Sequence, residues 1–249
     1  MGRAVIDAAA GRTDVSVTAA IDRAGAPGLG FEATSGVTAQ ADLHAGLTAA
    51  DVYVDFTSPA GTRAAAEVAR ALRKPAVIGT TGLSADDEAA LAALAEVAPI
   101  VVAANFSLGV NLVLGLVRQA ARVLGPDWDA EVVETHHHNK RDAPSGTALA
   151  IARSIAAGHG VDYDQVKRHT RDGDVGPRPR GEIGVSTVRG GDVIGEHVAY
   201  FFGEAERVEI AHRATSRTIF AAGALRAAAW AVGKPPGRYD MLDVLGFTP

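Results

Sequence analysis

Three short apolar runs between residues 51 and 107 constrain the fold most. They are "DVYVDF" (51–56), "PAVIGTTG" (75–82) and "PIVVAANFS" (99–107), with small or polar residues at their ends in "FTSP", "GTTG" and "AANFS". Between them lie two helix-like stretches. "SPAGTRAAAEVARALRK" (58–74) has Ser58 placed to cap and Pro59 at the first helical position. "SADDEAALAALAEVA" (84–98) carries acids in its first turn, which suits the helix dipole. Strands this apolar, alternating with helices, imply a parallel sheet covered on both faces. "VSVTAAID" (15–22) reads as a further strand ending in an acid.

After residue 107 the pattern changes. "GVNLVLGLVRQAARVLG" (109–125) is a long apolar helix, "DAEVVETHH" (129–137) a strand, and "SGTALAIARSIAAG" (145–158) a second helix. "GDVGPRPRG" (173–181) reads as a mobile loop. Strand candidates "EIGVSTV", "VIGEHVAYFF" and "RVEIAHR" then cluster, which suggests a mixed or antiparallel sheet, and residues 217–233 form a closing helix. Two domains are expected, with a boundary near Ser107.

Composition removes several function classes. The formal net charge of −5 gives no general attraction to nucleic acid. The chain has no cysteine, so disulfides, iron–sulfur clusters and cysteine–zinc sites are excluded. No apolar run is long enough to span a bilayer, and the N-terminus lacks the pattern of a signal peptide. A soluble cytoplasmic protein is expected.

In open parallel sheets, ligands bind beyond the carboxyl ends of the strands. Gly79, Thr80 and Thr81 at one strand end would let a flat ring approach the backbone. Ala103, Asn105 and Phe106 offer an amide and a ring at the next. Asp22 is placed to meet an adenosine ribose, and Arg23 a 2′-phosphate, so NADH and NADPH both stay open. A solvated Asp-Arg turn is the plain alternative.

The stretch "ETHHHNKRDAPSGTALA" (134–150) carries the densest chemistry. On an extended segment His136 and His138 would share a face, with His137 opposite. A zinc site would need another ligand from His159, His169, His197, His212 or Asp142, and none has a recognised spacing. Acid–base chemistry fits better. A histidine is the natural proton donor near neutral pH, and Lys140 would bind an anion or stabilise developing negative charge. Ser145, Gly146 and Thr147 open a helix whose N–H groups and hydroxyls suit a carboxylate. A surface strand followed by a Ser-capped helix is the plain alternative.

"ETHHHNKRDAPSGTA" resembles the signature of the dihydrodipicolinate reductase family, enzymes of lysine and diaminopimelate biosynthesis. "IGTTG", "AANFSLGVN", "RGEIGVSTVRGGDVIGEH" and "ATSRTIFAAGALRAA" resemble family segments in the same order. The resemblance implies an α/β fold. A Rossmann-like dinucleotide-binding domain would hold residues 1–107 and 217–249, and an α+β substrate and tetramerisation domain residues 108–216. It implies reduction of a cyclic dicarboxylate, dihydrodipicolinate or its 4-hydroxy hydrate, by NADH or NADPH in a homotetramer. His136 is similar to the family's acid/base histidine and Lys140 to its catalytic lysine. His137, Ser145, Gly146 and Thr147 correspond to its substrate-binding set. Gly79, Thr80, Thr81, Ala103, Ala104, Asn105 and Phe106 match nicotinamide-side contacts, and Asp22 and Arg23 adenosine-side ones. His138 and Asn139 fill variable positions, and no metal is implied.

"MGRAVIDAAAG" departs from the pattern. Such a fold should open with a strand and a Gly-rich turn, but here Val5, Ile6 and Ala9 already form a helical stripe. "MGR" is similar to the end of the family's Gly-rich turn, which makes Met1 a cofactor contact. A missing central strand would leave its neighbours with unpaired groups, at roughly 1–3 kcal/mol for each buried one. A native start further upstream is therefore expected, with weaker cofactor binding by the shorter form. The remaining readings are a dinucleotide-binding protein of this fold with reduced or lost catalysis, and a metal-dependent hydrolase using the histidine run.

Overall fold

The computed structural model describes residues 1–247. It divides into two compact units, Met1–Leu108 together with the chain from Thr218, and Gly109–Arg217. The first unit opens with helix α1 (Gly2–Ala9), then β1 (Ala20–Ile21), β2 (Glu32–Thr34), β3 (Val37–Gln40) and α2 (Leu43–Thr48). The strand expected over 15–22 is two residues long. A strand persists only where a neighbour takes its hydrogen bonds, and β1 finds one only at Ala39 and Gln40 of β3. Strand β3 turns back on β2 through Gly36, whose φ of 75° suits glycine.

The alternating segment follows as β4 (Tyr53–Asp55), α3 (Pro59–Leu72), β5 (Ala76–Ile78), α4 (Ala85–Ala95) and β6 (Pro99–Val102). Ser58 caps α3 by accepting from the Gly61 N–H at 3.3 Å. Ser84 and Asp87 cap α4 reciprocally, each side chain meeting the other's backbone N–H. The second unit contains α5 from its second residue (Leu108–Leu124), β7 (Asp129–His136), α6 (Gly146–His159), α7 (Tyr163–Val166), β8 (Lys167–Arg168), β9 (Ile183–Arg189), β10 (Gly195–Phe202) and β11 (Arg207–Ala214). The first unit is completed by α8 (Thr218–Ala231), β12 (Gly237–Tyr239) and α9 (Met241–Leu245).

In the first unit β4, β5, β6 and β12 pair in parallel, and β1, β3 and β2 form a separate sheet. Strand β5 is fully buried. Ala76 and Ile78 face Ala66, Ala69, Leu91 and Leu94 of α3 and α4. Val77 faces the other way, toward Phe106, Ala224, Ala228 and Met241. That is the doubly covered sheet the apolar strands imply. Helix α8 comes so close that a Cβ at Gly223 would lie 1.7 Å from the Phe106 carbonyl oxygen.

The second unit holds one mixed sheet in the order β11-β10-β7-β9-β8. Strand β10 is antiparallel to β7 and β11, whereas β9 is parallel to β7. Ala130, Val132, Val185 and Phe201 of this sheet pack on Val117 of α5 and Ile151 and Ile155 of α6. The stretch expected as a mobile loop is tied down. Arg178 donates to Asp129 at 2.6 Å, Glu131 at 3.0 Å and the Ala130 carbonyl at 3.1 Å.

Candidate active site

The site of the second unit grows out of its core. Side chains alternate faces along a strand, and the buried set of β7 is Ala130, Val132, Glu134 and His136. The same face of β9 runs Ile183, Val185, Thr187, Arg189, and that of β10 runs Phe201, Ala199, His197, Gly195. Pairing places Glu134 beside Thr187 and His197, and His136 beside Arg189. Three adjacent strands therefore change from apolar to polar at one end of one face. Burying a carboxylate there requires that its oxygens be satisfied.

Glu134 is fully buried and meets that requirement. Its Oε1 accepts from the Ser145 N–H at 3.0 Å, Thr187 Oγ1 at 3.1 Å and Arg189 Nη2 at 2.9 Å. Its Oε2 accepts from Arg189 Nη1 at 2.8 Å and lies 2.5 Å from His136 Nδ1. Burial alone would raise the Glu134 pKa, but the hydrogen bonds from Arg189, His136 and Ser145 outweigh it and hold the group at about 2. An ionised carboxylate only accepts, so His136 carries a proton on Nδ1. Burial lowers the His136 pKa, and Lys140 and Arg189 add to that, against the raising effect of Glu134. Burial outweighs the pull of Glu134, whose charge is offset by the paired Arg189. His136 therefore presents Nε2 as a bare lone pair. That nitrogen looks onto Gly195, where a Cβ would approach within 2.9 Å.

His197 packs edge-to-face on His136, ring centroids 5.2 Å apart. Burial pushes its pKa down to about 4. Its Nε2 lies 3.2 Å from Ser145 Oγ, which also caps α6 by accepting from the Ala148 N–H at 3.1 Å. The Ser145 hydroxyl is thus engaged with the helix and His197. Gly146 next to it is exposed and Thr147 half-buried. Lys140 Nζ pairs with Asp142 Oδ1 at 2.9 Å, both in the segment between β7 and α6. The His137 N–H donates to the Val193 carbonyl at 2.7 Å, and the Lys140 N–H returns to the His137 carbonyl at 3.1 Å.

That turn corrects the expected alternation. Strand β7 ends at His136, and His138 is exposed while His136 is buried. Among the described residues, no three His, Asp or Glu side chains are grouped to hold a metal ion. The metal-dependent hydrolase reading thus has no ligand set there. Glu134, Thr187, Arg189, Gly195 and His197 were not assigned to this cluster from the sequence. The period-two pattern of three strands is the signal that carries them.

The predicted cofactor residues lie in the first unit. Asp22 is exposed at the end of β1 and lines an open cleft of about 310 Å³ with Gly2, Arg3 and Phe31. Its Oδ1 accepts from the Arg23 N–H at 2.7 Å. Met1 is the N-cap of α1 and makes no side-chain capping bond. A cleft joining a carboxylate to an uncapped helix start fits the ribose and phosphate end of a dinucleotide.

The other strand ends are more structural than expected. A Cβ at Gly79 would lie 2.1 Å from the Phe56 ring, so glycine lets that ring pack against the strand end. Thr80 Oγ1 accepts from the Thr57 N–H at 3.1 Å and lies 3.4 Å from Asp55 Oδ1, tying β5 to β4. Thr81 and Ala104 are exposed, and Ala103 and Asn105 half-buried. Asn105 Oδ1 accepts from the Ser107 N–H at 2.8 Å. The Phe106 ring is not offered to a ligand. It is 1% exposed and meets Phe56 edge-on at 5.6 Å, because the apolar core claims it.

Two family models match, "Dihydrodipicolinate reductase, N-terminus" over residues 1–106 and "Dihydrodipicolinate reductase, C-terminus" over residues 109–245. The chain is 47% identical to the 4-hydroxy-tetrahydrodipicolinate reductase of Anaeromyxobacter dehalogenans strain 2CP-1, across 99% of this chain and 94% of that protein. It is 48% identical to the enzyme of the same name from Caulobacter vibrioides, across 99% and 93%. It is also similar to the solved dipicolinate-bound dihydrodipicolinate reductase from Paenisporosarcina sp. TG-14. The TM-score there is 0.80 at 25% identity, covering 97% of this chain and 94% of that one. An amine dehydrogenase from Mycobacterium smegmatis shares the fold alone, with a TM-score of 0.55 at 12% identity. The reading of a relative with lost catalysis finds no support in these matches. With both halves matched and close to half of its residues identical to these reductases, the chain belongs to the dihydrodipicolinate reductase family.

Proposed function

We propose that the chain reduces 4-hydroxy-tetrahydrodipicolinate, through its dehydrated imine, to tetrahydrodipicolinate with NADH or NADPH. The observation that carries this reading is the buried Glu134–His136 pair, which leaves His136 Nε2 bare at the polar end of the core face. A nicotinamide held in the first unit would supply a hydride to the ring carbon conjugated with the imine, an electron pair moving to nitrogen. His136 Nε2, once protonated, gives its proton to the carbon next to the one that took the hydride, and the electron pair on nitrogen re-forms the imine. A dianionic substrate raises the proton affinity of a histidine beside it, which prepares a neutral His136 for that step.

Lys140 holds a substrate carboxylate, exchanging its partner Asp142 for it. His137 and the helix start at Ser145, Gly146 and Thr147 bind the substrate's remaining polar groups. Asp22 and Arg23 pull in opposite directions on a 2′-phosphate, so both cofactors are used with less than about tenfold preference, about 1.4 kcal/mol. Residues 1–107 with 217–249 form the cofactor domain and residues 108–216 the substrate domain. Exposed Val188, Phe202 and Val208 support a homotetramer built through the second unit's sheet. Among the described residues no helix is long and apolar enough to cross a membrane, and we assign the reaction to the cytoplasm.

The test of the substrate site is equilibrium binding of pyridine-2,6-dicarboxylate, a planar mimic of the substrate. Binding is expected, weakened about ten- to hundredfold in Lys140→Ala, since a hydrogen bond to a charged group contributes about 1.5–3 kcal/mol. Absence of binding at millimolar concentration contradicts the assignment.

A further inference from the structure

We infer that Arg189 is a positioning residue for His136 that acts through Glu134, fixing the proton on Nδ1 and leaving Nε2 bare until an anion arrives. The inference rests on the proton-transfer role proposed for His136. Arg189 lies opposite His136 in the β7–β9 pairing, yet its fork points at the carboxylate and not at the imidazole. Both terminal nitrogens engage Glu134, at 2.8 and 2.9 Å. The same nitrogens donate to the Val188 carbonyl at 2.7 Å and the Asp142 carbonyl at 2.8 Å, so the guanidinium cannot swing away.

Five donors on Glu134 fill its lone pairs. The carboxylate can neither rotate nor take the imidazole proton, which orients the ring.

Charge counting explains the rest. Glu134 and Arg189 cancel, and Lys140 is paired with Asp142 in the following segment. From β10 the facing group is His197, which burial keeps neutral, and His212 of β11 stands opposite His197. Ser145 and Thr187 contribute dipoles only. The imidazole therefore faces no net charge in a buried place, which favours its neutral form. Without Arg189 a buried carboxylate charge stands uncompensated beside His136 and draws a proton onto Nε2. Without the Glu134 charge, Arg189 is left uncompensated and repels that proton. A lysine at 189 restores the charge and loses only the fork.

The test is an imidazole ¹⁵N NMR titration of His136 in the ligand-free, full-length protein, for wild type, Arg189→Gln, Arg189→Lys and Glu134→Gln. The His136 titration should rise by about one to three units in Arg189→Gln. It should fall in Glu134→Gln and stay within about half a unit of wild type in Arg189→Lys. If Arg189 served only to clamp the Asp142 segment, its loss and that of Glu134 would both loosen the pocket and move His136 the same way, toward its solvent value. Shifts of the same sign in Arg189→Gln and Glu134→Gln overturn the proposal. Should Arg189→Gln not fold, Glu134→Gln decides, and a titration at or above wild type overturns it. No turnover enters this measurement, so its failure is distinct from failure of the proposed reaction.

Discussion

Gly195→Ala isolates the geometry of the proposed proton-transfer site from its chemistry. A Cβ at 195 would stand 2.9 Å from His136 Nε2 and 3.3 Å from Cδ2. Ordinary contacts lie near 3.5–4.0 Å, so the ring must retreat by roughly half an ångström or more. It is anchored by the 2.5 Å contact from Nδ1 to Glu134 and by the edge-to-face packing of His197. Retreat distorts a hydrogen bond to a charged partner that contributes about 1.5–3 kcal/mol. Replacing glycine in an extended strand returns about 0.4–1 kcal/mol through the unfolded chain. The net loss of stability is about 0.5–2.5 kcal/mol, which leaves the fold populated. The effect on rate is larger in proportion. A misplacement of about 1 Å costs about a hundredfold, and the new methyl also covers Nε2. The expected result is a drop in kcat of about a hundredfold, about 2.7 kcal/mol in the barrier. It is read from substrate-dependent NAD(P)H loss, with urea unfolding run alongside. A folded variant with kcat within threefold of wild type would refute the placement of Nε2 at this surface.

Removing the proton donor in His136→Gln should keep the fold and lower turnover by roughly 10²–10⁴-fold; a change under threefold sinks its assignment. Ser145→Ala loses the α6 cap, about 1 kcal/mol. It also leaves His197 Nε2 buried without a partner, about 1–3 kcal/mol, beside an Nδ1 that already has none among the described residues. Chemical unfolding should show about 2–4 kcal/mol lost in Ser145→Ala and most of it regained in Ser145→Thr. Equal stabilities would contradict both contacts. Stability should also fall on acidification, because Glu134 and His197 have folded pKa values depressed below their unfolded ones. The unfolded chain then binds more protons, so stability rises with pH. The His197 contribution is complete above its ordinary value of 6.5 and lost as pH falls toward about 4. That of Glu134 is complete above its ordinary 4.5 and lost toward about 2. Urea midpoints measured from pH 7 to 3 test this, and His197→Gln should flatten the upper part of the decline.

Much of the fold was legible because its local signals agree with its packing. Ser58 with Pro59 marks a helix start that the structure caps as expected, and the acids after Ser84 mark the first turn of α4. The apolar runs at 53–55, 76–78 and 99–102 are the parallel strands. Shorter elements carried no periodic pattern, and the β2–β3 hairpin, α2, β12 and α9 went unseen. The strand over 15–22 failed for a non-local reason, since its length depends on a neighbour and not on its own residues. At the site, the histidines drew attention within one contiguous motif, whereas Arg189 and His197 come to Glu134 from strands 55 and 63 residues downstream and only the pairing register brings them there. A strand-end aromatic such as Phe106 reads equally well as ligand contact or core, and its ring lies in the core with Val77 and Ala224.

The central claim is that this chain reduces a cyclic imine dicarboxylate using the Glu134–His136 pair. The most direct test follows NADH and NADPH oxidation by the purified protein with freshly generated 4-hydroxy-tetrahydrodipicolinate. The predicted result is oxidation of one NAD(P)H for each tetrahydrodipicolinate formed, with at least about a hundredfold lower turnover in His136→Gln. Absence of substrate-dependent oxidation with either cofactor, or full activity in His136→Gln, would contradict it.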